Sequence, residues 1–396
     1  MRNIIRSTGF LAVTLLLGAC ASDGTSGKLP AVTSPDLPDI AAVDHYVEAL
    51  RHQHKVPGLA LAIIDHGEVK TIRTYGSRKL EPPTPLDSDT VMYGASLTKF
   101  VFATYVMKLI DRGLLDLDKP VAAYFPKPLP EYEEWSDLAG DPRWQKLTLR
   151  NLLDHNSGWA NYRFFPPQGG FDPNGKLKFY YDPGQRYGYS GEGYILAQRV
   201  IEEGLNRDLS HDMTRLIFAP LGMTRTSMIW KDTFAPNYAA GYNVEGKNLG
   251  HNMQDNARAA GSMDTTIRDF ANFVAAYMRG DLISRQAQDE MLRPQIAITS
   301  AHQFPSLDPA TDPRNREVGL AAGIGVVTWR SPYGPAFMKG GHNAKTDNML
   351  VCLETAKRCV ILLSNTAKGD RMFPQIIRYV LGDTRFPWRW EYNSQS

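Results

Sequence analysis

The sequence predicts an α/β fold: one antiparallel sheet drawn from both ends of the chain, flanked by helices, beside a mainly helical region. Three observations predict it. Apolar, β-prone runs fall at 59–75 and again at 321–365, while the apolar spacing between them is mostly helical. Hydrophobic residues make up 43% of the 396 and charged residues 22%, which excludes disordered, collagen-like and coiled-coil chains. No internal repeat or low-complexity block interrupts the pattern. With 44 Lys+Arg against 42 Asp+Glu, the chain also lacks the basic excess of a nucleic-acid binder, so no such partner is expected.

Residues 1–19 read as a secretory signal. Arg2 and Arg6 precede an apolar run at 10–17 that is too short to cross a bilayer. Leu17-Gly18-Ala19-Cys20 resembles a bacterial lipoprotein signal, which implies lipidation of Cys20; the alternative is an ordinary secretory cleavage nearby. Acyl chains contribute about 0.8 kcal/mol per buried methylene, so a multiply acylated Cys20 would hold the chain at a membrane. Ala21, rather than Asp, follows the cysteine. The expected location is therefore the periplasmic side of a bacterial envelope, at the outer membrane in a Gram-negative host. Loss of 1–19 removes Arg2 and Arg6 and takes the formal charge from +2 to zero. Residues 20–38, rich in Ser, Gly, Pro, Thr and Asp, read as a flexible tether.

The spacing of Ile40, Val43, Tyr46, Val47 and Leu50 predicts a helix over 39–54. Residues 59–64, the Asp65-His66-Gly67 turn and 69–75 read as a β-hairpin. Helices are expected at 100–115, 149–153, 194–203, 267–278 and 374–381, and strands at 321–329 and 336–338. Two apolar runs about the polar 354–358 make a second hairpin, which brings Cys352 and Cys359 within disulfide reach; two buried free thiols are the alternative. The expected organisation is a sheet domain from 39–85 and 316–396 and a mainly helical domain at 86–315. Together they would make one catalytic unit, expected to be a monomer.

Ser96-Leu97-Thr98-Lys99 opens an apolar helix, so Ser96 and Lys99, at i and i+3, share a face. A serine hydroxyl needs a base to become a nucleophile, and a neutral lysine can supply one. A working value near neutrality needs a depression of about three pKa units, on the order of 4 kcal/mol. Alone, the pattern is weak and fits a capping serine followed by a surface lysine better. The rest of the chain adds, in order, Val56-Pro57-Gly58, Leu115-Asp116-Leu117-Asp118, Leu152-Leu153-Asp154-His155-Asn156-Ser157-Gly158, Pro183-Gly184 with Tyr187-Gly188-Tyr189-Ser190-Gly191, and Lys339-Gly340-Gly341.

This ordered set resembles the serine β-lactamase and penicillin-binding superfamily, in its class C β-lactamase, DD-peptidase and esterase branch, from about Val43 to Asn365. The resemblance implies a β-lactamase/transpeptidase-like fold. It also implies Ser96 as acylated nucleophile, Lys99 as its base and Tyr189 as the proton-shuttling tyrosine of Y-x-N. Lys339, with Gly341 and His342, would belong to the substrate-binding strand, and the N–H groups of Ser96 and His342 would form the oxyanion hole; one such donor is worth about 10²–10³ in rate. Lys99 and Lys339 are expected to favour the Tyr189 phenolate.

Two positions depart from the family pattern. Gly191 stands where Y-x-N has Asn, and Gly340 stands where the third motif has Ser or Thr. Both losses remove polar groups that grip carboxylated amides. The expected function is therefore an envelope serine hydrolase, esterase-like, acting on an ester or D-amino-acid-type amide through a Ser96 acyl-enzyme. The alternatives are a β-lactamase or D-alanyl-D-alanine carboxypeptidase on a peptidoglycan-type substrate, and a non-catalytic binding lipoprotein.

Other residues carry weaker signals. His342 would orient substrate through its ring or serve through its backbone alone. His155 reads as a structural hydrogen-bonding residue. Glu192 supplies either a carboxylate near the site or a first-turn charge favoured by the helix dipole. Trp159, Tyr162, Phe164 and Phe165 line an acyl pocket or cover core. His52 and His54, at i and i+2, point apart on a helix, and neither H-E-x-x-H nor G-x-S-x-G occurs, so no metal, no cofactor and no α/β-hydrolase fold is expected.

Overall fold

The computed structural model describes residues 33–167 and 169–392. The expected signal, Cys20 and most of the expected tether lie outside the described residues. The chain enters through α1 (Ile40–His54) and three strands, β1 (Gly58–Asp65), β2 (Glu68–Leu80) and β3 (Pro83–Pro85). A short β4 (Met92–Tyr93) leads into α2 (Leu97–Asp111), followed by α3 (Leu149–Leu153), α4 (Gly191–Arg199) and α5 (Leu209–Met213). Then come β5 (Asp264–Thr265), α6 (Ile267–Arg279), α7 (Arg285–Leu292), β6 (Ile296–Ala297) and α8 (Arg314–Glu317). The last strands are β7 (Ala321–Ala322), β8 (Val327–Ser331), β9 (Gly334–Asn343), β10 (Thr346–Leu353) and β11 (Arg358–Ser364). The helices α9 (Phe373–Leu381) and α10 (Trp388–Tyr392) close the described chain.

Both chain ends build one sheet, in the order β3-β2-β1-β11-β10-β9-β8-β7-β6. The central junction is antiparallel, β1 on β11, with Leu61 opposite Leu362. Strand β1 is apolar at every position from Leu59 to Ile64 because both of its faces are covered. Ala60, Ala62 and Ile64 pack into one core with α2 and α6, while Leu59, Leu61 and Ile63 pack into the other with α1 and α9. The period of two thus feeds two layers of helix from a single strand. Helix α2 is buried on all sides from Leu97 to Met107, as expected of an apolar-all-round helix set beneath a sheet.

Cys352 lies opposite Cys359 in the β10–β11 register, and the two are joined as a disulfide on the α2–α6 face. The strand expected at 321–329 is broken into β7 and β8. Gly325, at φ +78°, turns the chain there, and a Cβ on it would stand 2.4 Å from the Ala103 Cβ of α2. Strand β9, expected only at 336–338, runs on to Asn343 through Gly340 and Gly341, whose lack of side chains weakens any strand signal. The sheet also takes β6 from within the stretch expected to be helical.

Candidate active site

The turn before α2 places Ser96, the candidate nucleophile. Gly94 N–H donates to the Met263 carbonyl, and Ala95 then adopts φ +47°, an unusual left-handed conformation for a residue with a Cβ. That turn delivers Ser96 to the N-cap position of α2. Ser96 makes no capping hydrogen bond with its side chain, and Lys99 is 1% exposed. Neither residue behaves as a surface helix cap and its solvated lysine would.

Around Ser96 Oγ the geometry is that of a proton-transfer cluster. Lys99 Nζ lies 3.2 Å from it, and the Tyr189 phenol donates to it at 2.9 Å. Lys99 Nζ also donates to the Ala260 carbonyl at 2.5 Å, and no carboxylate pairs with it among the described residues. Burial holds Lys99 well below the usual lysine value, with the nearby Lys339 charge pushing the same way. The expectation for Tyr189 is corrected: burial raises its phenol above the ordinary value despite cations 4.9 and 5.5 Å from its ring. Desolvation outweighs the attraction, so Tyr189 is a neutral donor and Lys99 is the group poised to accept.

The strand β9 forms the facing wall. Its pairing with β8 ends at Met338, so residues 339–343 present a free backbone edge towards α2. A Cβ on Gly341 would stand 3.0 Å from Ser96 N and 2.8 Å from the Gly94 carbonyl, so this position admits only glycine. Lys339 Nζ donates to the Gly340 carbonyl, and burial lowers its value, with the Glu391 charge opposing. Burial and the two lysines push His342 down to about 4, so its ring is neutral at physiological pH.

His155 buttresses the tyrosine. Its ring stacks on Tyr189 at 4.3 Å, and its Nδ1 accepts from Ser190 N at 3.1 Å. Ser190 caps α4 by accepting from Gly193 N, which fixes the helix start beside Tyr189. Glu192 faces away from the chemistry: both of its carboxylate oxygens hold Arg163, at 2.9 and 3.0 Å. The aromatic loop divides. Trp159 is fully buried core, Tyr162 and Phe165 line the cavity, and Phe164 is exposed.

The cavity over Ser96 measures about 650 Å³, and Lys99, Tyr189, Lys339, Gly340 and His342 all line it. With this geometry in place, a family model described as Beta-lactamase matches residues 43–382. The chain belongs to the beta-lactamase family.

It is 25% identical over 296 residues to a beta-lactamase of Providencia stuartii, covering 73% of this chain and 70% of that one. It is 27% identical over 305 residues to the D-alanyl-D-alanine-carboxypeptidase/endopeptidase AmpH of Escherichia coli K12, covering 72% of this chain and 73% of that one. A D-aminopeptidase of Brucella anthropi is 26% identical, over 52% of this chain but only 39% of its own length. In fold, the chain matches an octameric penicillin-binding protein homologue from Pyrococcus abyssi with a TM-score of 0.69 at 20% identity, covering 88% and 80%. It matches a D-amino acid amidase from Ochrobactrum anthropi with a TM-score of 0.65 at 22% identity, covering 85% and 98%.

Against this beta-lactamase family background, both departures have occupants. A Cβ on Gly191 would lie 2.5 Å from the Tyr162 ring, and one on Gly340 would lie 2.1 Å from Glu391 Oε1. Sequence reasoning missed Glu391, together with Gln303 and Phe304, which also line the cavity. Phe304 sets its ring on Tyr189 at 5.1 Å and on His342 at 5.5 Å. The only signal for Glu391 was a single acid in the aromatic run Trp388-Arg389-Trp390-Glu391-Tyr392.

Proposed function

We propose that this β-lactamase-related protein is an esterase-like serine hydrolase that cleaves esters or D-amino-acid-type amides through a Ser96 acyl-enzyme. The observation that carries the reading is Ser96 Oγ held between a buried lysine and a neutral phenol in an open cavity. In the first half-reaction Ser96 Oγ attacks the acyl carbon and its proton passes to Lys99 Nζ. The Tyr189 phenol donates to the departing alkoxide or amine, and the backbone N–H groups of Ser96 and His342 receive the oxyanion. Water then attacks the ester intermediate by the reverse route. Esters need less leaving-group assistance than amides, which suits a site without the amide of Y-x-N and the hydroxyl of the third motif.

The test incubates wild type and Ser96→Ala with a short-chain p-nitrophenyl ester, a chromogenic cephalosporin and a fluorophosphonate. Ester turnover lost in the variant is the expected result. Cephalosporin turnover of comparable efficiency overturns the esterase preference, and no labelling of wild type by any reagent favours a binding protein instead. We further propose that the chain is a monomer anchored in the envelope through Cys20. Metabolic labelling with a fatty acid, lost in Cys20→Ser, and light scattering on the purified protein test those two points.

A further inference from the structure

Three basic side chains line the cavity, Lys99, Arg258 and Lys339, but among the described residues Glu391 is the one acid that does. It comes from α10, far from every catalytic motif, and its side chain is 1% exposed. One oxygen accepts from Gln303 Nε2 at 2.5 Å; the other lies 3.8 Å from His342 Nδ1. Gln303 is itself fixed, accepting from the Tyr187 hydroxyl and donating its backbone N–H to the Trp390 carbonyl. The carboxylate is thus held from behind in the volume that a residue-340 side chain would need. Above neutral pH, a substrate carboxylate approaching the Lys339 end of β9 therefore meets a second carboxylate, held in place and buried in a low-dielectric wall where repulsion is strong.

We propose that Glu391 is a specificity-determining residue that closes the Lys339 end of the cavity to substrate carboxylates, so that the accepted acyl donor is neutral or cationic where it meets β9. This rests on the hydrolase reading above and names its substrate class. Burial raises Glu391 from its ordinary value, so mild acid neutralises it and weakens the barrier. The other titratable groups around it are Lys339 and His342 of β9, Asp347 of β10, Tyr187 and Tyr189 before α4, and Tyr392 of its own helix.

The experiment measures binding of phenylboronic acid and 3-carboxyphenylboronic acid to full-length wild type and Glu391→Gln. Wild type is expected to prefer the uncharged probe by about tenfold or more, and Glu391→Gln to shrink that ratio about tenfold. Acidification from about pH 8 to about pH 6 should shrink the ratio by more in wild type than in the variant, which keeps the Lys339 titration but not that of Glu391. That wild-type arm stands even where the variant fails to fold. Both probes binding, with a ratio indifferent to Glu391 and to pH, overturns this inference alone. Neither probe binding to wild type overturns the acyl-enzyme reading and the inference with it.

Discussion

Lys99 is 1% exposed, sits beside a second buried lysine and has two oxygen partners, the Ala260 carbonyl and Ser96 Oγ, in place of a counter-ion. In the proposed mechanism such a residue costs the fold stability, and Lys99→Met measures how much. Burial and the Lys339 charge both disfavour the ammonium that the unfolded chain would hold, and each pKa unit of that depression is worth about 1.36 kcal/mol. Methionine fills a similar volume without that cost but gives up two hydrogen bonds worth about 1 kcal/mol each. The desolvation cost is expected to exceed those two bonds, so Lys99→Met should be more stable than wild type at pH 7, each kcal/mol gained raising the midpoint temperature by about 1–2 °C in a chain of this size, with activity abolished. The sign with pH follows from proton uptake on unfolding. The unfolded lysine binds a proton that the folded one lacks, so wild-type stability increases from pH 7 towards 10. The advantage of Lys99→Met should therefore fade by up to about 1.4 kcal/mol per pH unit as the pH rises towards 10. Denaturant melts of both proteins at several pH values decide the matter. A variant less stable than wild type at pH 7, or a difference flat across pH 7–10, refutes the reasoning.

Tyr189→Phe removes the donor to Ser96 Oγ and should lower kcat/KM by about 10²–10³, more for an anilide than for a p-nitrophenyl ester; equal losses on both would count against the leaving-group role. Because burial lowers both His155 and His342, no histidine inflection is expected between about pH 5 and pH 8, and the acid limb of kcat/KM should be the same in His342→Asn. An altered limb in that variant would assign the limb to the imidazole. His155→Ala removes the ring stacked on Tyr189 and should cost about tenfold in kcat with KM little changed, a split that kinetics on the p-nitrophenyl ester reads directly. Replacing Cys352 and Cys359 together by Ser should cost about 2–3 kcal/mol in denaturant unfolding and leave turnover per folded molecule unchanged; loss of turnover would tie the hairpin to the site.

The catalytic face was legible because its chemistry is local in sequence. Ser96 and Lys99 share a helix turn, Tyr189 stands at a helix start, and Lys339 opens a glycine pair, so three short patterns carry the geometry. The central strands were legible for the same reason: Leu59 to Ile64 is apolar throughout, and the turn between Cys352 and Cys359 is plainly polar. What stayed hidden depends on contacts between distant segments. The two-residue strands β4 and β5 position Ser96 by pairing Met92 with Thr265, and no period shows in two residues. Glu391, Gln303 and Phe304 reach the cavity only once the 300–307 loop and α10 have folded against β9. The charge state of Tyr189 was misjudged because its neighbours in sequence reveal cations but not burial, and burial was the larger effect.

The two glycine departures show why single positions mislead. Read along the sequence, Gly191 and Gly340 are losses, an amide and a hydroxyl gone from a family site. In the fold each glycine is one half of a pair. Tyr162 projects from the aromatic loop onto Gly191, and Glu391 projects from α10 onto Gly340, each closer than any Cβ could tolerate. Adding a side chain at either position must displace its occupant, and Glu391 is fixed by Gln303, itself held through Tyr187 and Trp390. The floor of the cavity is therefore rebuilt from an aromatic ring and a carboxylate, not left empty. The pairs Gly191–Tyr162 and Gly340–Glu391 have members that are separated in sequence and meet only in the folded chain.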